Sequence, residues 1–170
     1  PQWSFREMSP LIDSANMTPA YWLRLRSAII DAVEQDGCDS VLVLHGTDTL
    51  AYSAAAMCFQ LLGLQAPVLF TGSMLPAGVP DSDAWPNVSG ALSALAQGQP
   101  YGVQLYFHDE LLDPTHCAKV RSFGRNPFVT LTRNGGGTRA STLPAELAYS
   151  YPKHQASVGV LPLVPGIGAA

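Results

Sequence analysis

His45-Gly46-Thr47-Asp48-Thr49 follows a strand end with a glycine that lets the backbone approach a ligand closely, and its two hydroxyls and carboxylate are expected to point into one crevice. A carboxylate there can hold an ammonium group, and a hydroxyl can pass a proton. Thr47 or Asp48 can equally well cap a following helix, and local spacing leaves both uses open. His45 adds an imidazole whose ordinary pKa lies near neutrality, the usual qualification for a general base. His108, His116 and His154 have no metal-ligand spacing with Asp, Glu or Cys and read as surface histidines. Asp81 and Asp83 make a single Asp-x-Asp, too little for a cation site, so no metal is implied.

The elements that must position this loop are legible on either side of it. Thr18-Pro19 combines a cap with a residue favoured in the first helical turn, and Trp22, Leu25, Ile29 and Val33 follow at helical spacing up to Gly37. Val41-Leu42-Val43-Leu44 is a continuous apolar run, as expected of a buried central strand of a parallel sheet. After the loop, Ala51, Ala54, Ala55, Cys58 and Leu62 mark a second helix closed by Gly63.

The unit then repeats: a strand at Val68-Leu69-Phe70, a loop over residues 71–80, a helix from about Asn87 to Ala96, and a strand from Tyr101 to Phe107. Alternation of this kind predicts an α/β fold with a doubly wound, Rossmann-like parallel sheet, whose ligands collect outside the carboxyl ends of the strands. Both polar loops lie at such ends. Farther on, a short strand is expected around Ala118 to Arg121, a glycine-rich loop at residues 134–137, and another strand over residues 157–164.

Composition narrows the function classes. Of the 170 residues, 47% are hydrophobic and 13% charged, against about 25% charged in ordinary domains, so a folded domain with a sizeable core is expected. A net charge of -4 without any basic run gives phosphate backbones and anionic membranes no electrostatic footprint. Cys38, Cys58 and Cys117 are odd in number and form no Cys-x-x-Cys pair, which fits free thiols in a reducing cytoplasm. Pro1-Gln2-Trp3-Ser4-Phe5 lacks an initiator Met and any signal-like pattern, as though the chain starts within a longer protein.

Val41-Leu42-Val43-Leu44-His45-Gly46-Thr47-Asp48-Thr49-Leu50-Ala51-Tyr52 closely resembles the second signature of the L-asparaginase family. Three further matches follow that family's order: residues 10–19, Thr71-Gly72-Ser73-Met74-Leu75-Pro76, and Ser82-Asp83 with Asn87. Asp13-Ser14-Ala15-Asn16-Met17-Thr18-Pro19 is most similar to the cytoplasmic, type I branch. The resemblance implies that Thr47 and Asp48 work with a Lys brought from a later strand, here Lys119, nine residues before Phe128. A lysine held neutral in a desolvated crevice can accept a proton from a Thr hydroxyl. It also implies that Ser14, beside Asp13, binds the substrate α-carboxylate, that Asp48 binds its α-ammonium, and that Ser73 lines the pocket. His45 becomes a support for the loop, and Asp83 part of a loop that orders the next helix. No cofactor is implied.

The resemblance breaks at one point of chemical weight. Asparaginases keep a nucleophilic Thr in a Thr-Gly-Gly-Thr-Ile type segment on their first strand, and this sequence contains no such segment. His116 stands where the family usually has Arg, and Asn126-Pro127-Phe128 replaces Asp-Ala-Phe. Residues 1–150 are therefore expected to be an asparaginase-like amino-terminal domain lacking its first strand. Residues 151–170 are expected to be a linker and the first strand of a second, smaller α/β domain.

The leading expectation is hydrolysis of L-asparagine to L-aspartate and ammonia through a Thr acyl-enzyme, by a complete protein that is a homo-oligomer, dimer or tetramer, with this chain alone nearly inactive. An asparaginase-like subunit of a tRNA amidotransferase keeps the amide chemistry. A non-catalytic amino-acid-binding module would keep Ser14 and Asp48 for recognition alone.

Overall fold

The computed structural model describes residues 2–131. A 3-10 turn at Ser14–Asn16 leads into α1 (Pro19–Glu34), β1 (Val41–Leu44), α2 (Leu50–Gln60), β2 (Pro67–Thr71), α3 (Ala84–Ala96), β3 (Gly102–Phe107) and β4 (Glu110–Leu112). A second 3-10 turn, Pro114–His116, precedes β5 (Cys117–Lys119) and β6 (Phe128–Thr130). The expected glycine-rich loop at residues 134–137, the strand at 157–164, the domain boundary near 150 and His154 lie outside the described residues.

Strands β1, β2 and β3 are parallel neighbours, with Val43 opposite Phe70 and Phe70 opposite Leu105. The α/β, doubly wound expectation is met, with one addition: β4 turns back antiparallel on β3. At three residues, β4 is too short to carry a readable apolar period. Strands β5 and β6 form a separate antiparallel pair, with Lys119 opposite Phe128.

The side-chain period of two divides the sheet between two cores. Val43, Val68, Phe70, Val103, Leu105 and Phe107 face α1 and α2 and pack on Leu25, Ile29, Ala54 and Met57. Leu69 and Tyr106 face the other way, onto Ala91 and Ala94 of α3. Phe70 and Leu105 are fully buried, and burying side chains of this size stabilises by about 1.5–3 kcal/mol each. Because β1, β2 and β3 lie side by side in chain order while α2 and α3 cover opposite faces, one of the two crossovers is left-handed. Right-handed connections prevail in about 98% of such units, so this chain departs from the rule beside its candidate site.

One expectation needs correction. Strand β1 is not buried on both faces: it lies at an edge of the sheet among the described residues, with Val43 buried and Leu44 56% exposed. Its apolar run gave no sign of that, since continuous hydrophobicity does not distinguish an edge from a centre. Helix α3, expected from about Asn87 to Ala96, runs Ala84–Ala96, with Pro86 in its first turn, where a missing N–H does no harm.

Candidate functional site

Three loops meet at the carboxyl ends of β1 and β2. The β1 strand stops at Leu44, and the bond from His45 N to Thr71 O, at 2.9 Å, carries the pairing one residue farther before the chain turns. Two glycines let the loops close on one another. A Cβ on Gly46 would lie 2.5 Å from Ser14 Oγ and 2.8 Å from Ser14 Cβ; one on Gly72 would lie 2.2 Å from the His45 carbonyl oxygen. No side chain fits at either position. The loop after β2 is therefore pressed against the loop after β1, and the Ser14 turn lies over Gly46.

Lys119 reaches this junction from β5. Its Nζ donates to Thr47 Oγ1 at 2.9 Å and to Asp48 Oδ1 at 2.6 Å. The structure thus brings together Thr47, Asp48 and Lys119, the three residues that the resemblance groups. The Lys119 side chain is only 15% exposed, so its aliphatic stem is packed and its ammonium is aimed, whereas Asp48 at 61% keeps carboxylate surface open to a ligand. An ion pair with one partner so exposed contributes at most about 1 kcal/mol, which makes aiming the ammonium its larger effect.

Ser14 is buried, at 7% exposure, in the 3-10 turn. Asp13 precedes it and accepts the Ala15 N–H through Oδ1 at 2.9 Å, so its carboxylate caps the turn. Ser73 is half-buried, one residue after Gly72. Its loop is clamped from α3. The Asp83 carboxylate accepts the N–H groups of Met74, at 2.9 Å to Oδ2, and Leu75, at 3.0 Å to Oδ1. Asn87 Nδ2 donates to Gly72 O at 2.9 Å, while His108 N donates to Asn87 Oδ1 at 3.0 Å. The Asp83 side chain orders the loop after β2 and makes no cap bond to α3, although Asp83 occupies the helix cap position.

One expectation about the loop is overturned. The Thr47 hydroxyl meets Lys119, but the Thr49 hydroxyl turns away from the crevice and donates to Ser14 O at 2.8 Å. Thr49 is the cap residue of α2, yet its side chain makes no cap bond, so neither Thr47 nor Asp48 is the cap. Thr49 and Asn87 as loop-tying residues escape local spacing, because their partners lie 35 and 15 to 21 residues away in the chain.

His45 supports the loop. Its Nδ1 donates to Gly46 O at 2.7 Å, and the ring tilts against Phe70 with centroids 6.3 Å apart. Burial lowers its pKa below 6.5, and the bond to Gly46 opposes that shift. His116 lies outside the group, with Nδ1 3.1 Å from Asp113 Oδ2. Among the described residues, no cluster of His, Cys, Asp and Glu is arranged to hold a metal ion, and no helix is long and apolar enough to cross a membrane. A cleft of about 320 Å³ beside Asp83, Asn87, His108 and Arg125 contains none of Thr47, Asp48 and Lys119. Thr47, Asp48 and Lys119 meet instead at the open loop junction.

Several known proteins are similar to this chain. L-asparaginase from Thermococcus kodakarensis is 37% identical over 120 residues, 71% of this chain and 36% of the relative. Its solved structure superposes with a TM-score of 0.66, covering 70% of this chain and 35% of that one. L-asparaginase 1 of Escherichia coli is 33% identical over 180 aligned residues, covering 99% of this chain and 52% of the relative. A glutamyl-tRNA(Gln) amidotransferase subunit of Haloquadratum walsbyi is 43% identical over 138 residues, 80% of this chain and 30% of the relative. The chain thus spans between about a third and a half of the length of these proteins. Residues 4–142 match the family model described as Asparaginase, N-terminal. That match takes in both polar loops and the Lys119 strand, and by it the chain belongs to the asparaginase family.

Proposed function

We propose that the complete gene product is a cytoplasmic L-asparaginase that hydrolyses the side-chain amide of L-asparagine, with this chain contributing the amine and carboxylate anchors and a proton-transfer group. The observation that carries the reading is the meeting of Lys119 Nζ with Thr47 Oγ1 and Asp48 Oδ1, at 2.9 and 2.6 Å, across more than seventy positions of sequence.

In this scheme a Thr hydroxyl supplied by another segment attacks the amide carbon. The amide nitrogen takes a proton and leaves as ammonia. Water then cleaves the ester and releases L-aspartate with the Thr restored. Asp48 holds the substrate ammonium, Ser14 donates to its carboxylate, and Asp13 holds the Ser14 turn in shape. Thr47 and Lys119 move the proton along their short contact. Ser73 and Gly72 form the wall nearest the amide. The open edge of β1, with Leu44 exposed beside the loop, leaves room for a further strand bearing the nucleophile. No cofactor enters any step. Three cysteines outside any disulfide support the cytoplasmic assignment. A homo-oligomer and a second, smaller carboxyl-terminal domain beginning near residue 151 complete the proposal.

The test is ammonia release from L-asparagine by the complete gene product, beside the 170-residue chain and a Lys119→Ala version of the complete product. Activity in the first and its loss in both others is the expected result. An inactive complete protein that still binds L-aspartate would replace the enzyme by an amino-acid-binding module. Likeness to the tRNA amidotransferase supplies the second reading; ammonia release that requires a charged tRNA and a partner protein would favour it.

A further inference from the structure

We infer that Thr49 is a positioning residue for substrate binding: it ties the Ser14 turn to the Asp48 loop and so fixes the distance between the carboxylate and ammonium anchors. This inference rests on the amidohydrolase reading above and adds to it a residue that touches no substrate. A Thr at a helix cap ordinarily turns its hydroxyl onto the N–H groups of the first turn. Thr49 leaves that bond unmade and donates instead to Ser14 O at 2.8 Å.

The tie matters because the turn is small. Ser14–Asn16 spans three residues, and its bonds from Ala15 N to Asp13 Oδ1, Asn16 N to Asp13 O and Met17 N to Ser14 O all close within the segment. These bonds shape the turn but do not place it. Thr49 supplies the hydrogen bond from the catalytic loop, while Gly46 allows Ser14 to settle directly on that loop. Asp48 and Thr49 are adjacent, so a single peptide unit separates the ammonium anchor from the tie to the carboxylate anchor. Loosening the tie shifts the two anchors relative to each other. Thr47 and Lys119 remain in contact, since Lys119 comes from β5 and its ammonium bonds Thr47 and Asp48 directly.

The experiment uses Thr49→Val, which keeps the shape and removes the hydroxyl, and Thr49→Ser, which keeps the hydroxyl. Both are made in the complete gene product. L-asparagine kinetics, calorimetric binding of L-aspartate, and hydrogen exchange at Ala15, Asn16 and Met17 are read together. Thr49→Val is expected to raise KM and the L-aspartate Kd about tenfold, the loss of roughly one well-placed hydrogen bond. It should leave kcat within about threefold and speed exchange in the turn, with Thr49→Ser restoring all three. An unchanged L-aspartate Kd in Thr49→Val overturns the proposal, whether or not exchange accelerates. A fall in kcat at constant KM also overturns it, because that pattern places Thr49 in the chemical step. Absence of ammonia release from the unsubstituted protein would defeat the amidohydrolase reading separately, and L-aspartate binding would still decide the role of Thr49.

Discussion

Lys119 and Thr47, 72 positions apart, are joined by a 2.9 Å bond from Nζ to Oγ1, and the antiparallel pairing of Lys119 with Phe128 fixes the strand from which that bond is made. Phe128 is buried against Phe107, with ring centroids 4.9 Å apart in an edge-to-face arrangement. Lys119 is thereby referred to the main sheet through an aromatic contact. It does not depend on a free loop.

Replacing Lys119 by Met should lower kcat for L-asparagine at least about a hundredfold in the complete gene product, the usual contribution of a positioned acid–base group. KM should change only a few-fold. Unfolding free energies from urea titration should stay within about 1 kcal/mol of the parent, since the Asp48 partner is 61% exposed and pairs of this kind stabilise little. Lys119→Arg should not rescue activity, because a guanidinium does not give up its proton. Near-parental turnover in Lys119→Met would remove Lys119 from the chemistry.

Gly46→Ala tests the contact between the first loop and the Ser14 turn. The added methyl would lie 2.8 Å from Ser14 Cβ, an atom held in a buried position, so the turn itself must move. Overpacking of this kind costs about 1–3 kcal/mol, and displacement of Ser14 should raise KM for L-asparagine. Equilibrium unfolding with steady-state kinetics checks both halves; a variant with parental stability and KM would mean that the turn is free to shift.

How much of this arrangement the sequence carried depends on how local each cause is. Helices α1 and α2 and strands β2 and β3 were legible because each holds enough apolar residues to set a period. Strands β4 and β6, at three residues each, have none. The edge position of β1 depends on its neighbours in the sheet, which a run of four apolar residues cannot report. Within the site, His45-Gly46-Thr47-Asp48-Thr49 advertised a polar loop, but its spacing sent both hydroxyls into one crevice; the separate destination of Thr49 depends on Ser14, which lies 35 residues earlier. Lys119 was found only through the family resemblance, since an isolated lysine gives no hint of where its ammonium ends.

Asn87 offers an ordering of effects. It is 3% exposed, and it joins Gly72 O, the Asp83 carboxylate and His108 N. Asn87→Ala should destabilise by about 1–3 kcal/mol through the buried groups left unpaired. Asn87→Asp should be worse, because it replaces a donor facing the Asp83 carboxylate with a second buried charge of like sign. Urea unfolding near neutral pH compares the two, and an Asp variant more stable than the Ala variant would contradict the assigned geometry.

His45 makes the stability of the protein depend on pH in a predictable sense. Its Nδ1 proton is engaged by Gly46 O, while Nε2 is buried without a hydrogen-bond partner among the described residues, so a second proton would create an imidazolium with nothing to receive it. Burial accordingly holds the folded-state pKa below 6.5, with the Gly46 bond opposing the shift. In the unfolded chain the imidazole titrates near its ordinary value, so below about pH 6.5 the unfolded state binds the extra proton first. Stability from this group is fully present above that pH and declines as pH falls toward the folded-state pKa, with a slope of at most about 1.4 kcal/mol per pH unit. Unfolding free energies measured between about pH 7.5 and 5.5 should therefore fall more steeply for the parent than for His45→Gln, which has no proton to gain. Parallel curves for the two proteins would show that His45 titrates alike in the folded and unfolded states and would withdraw the buried, neutral imidazole from the account of the loop.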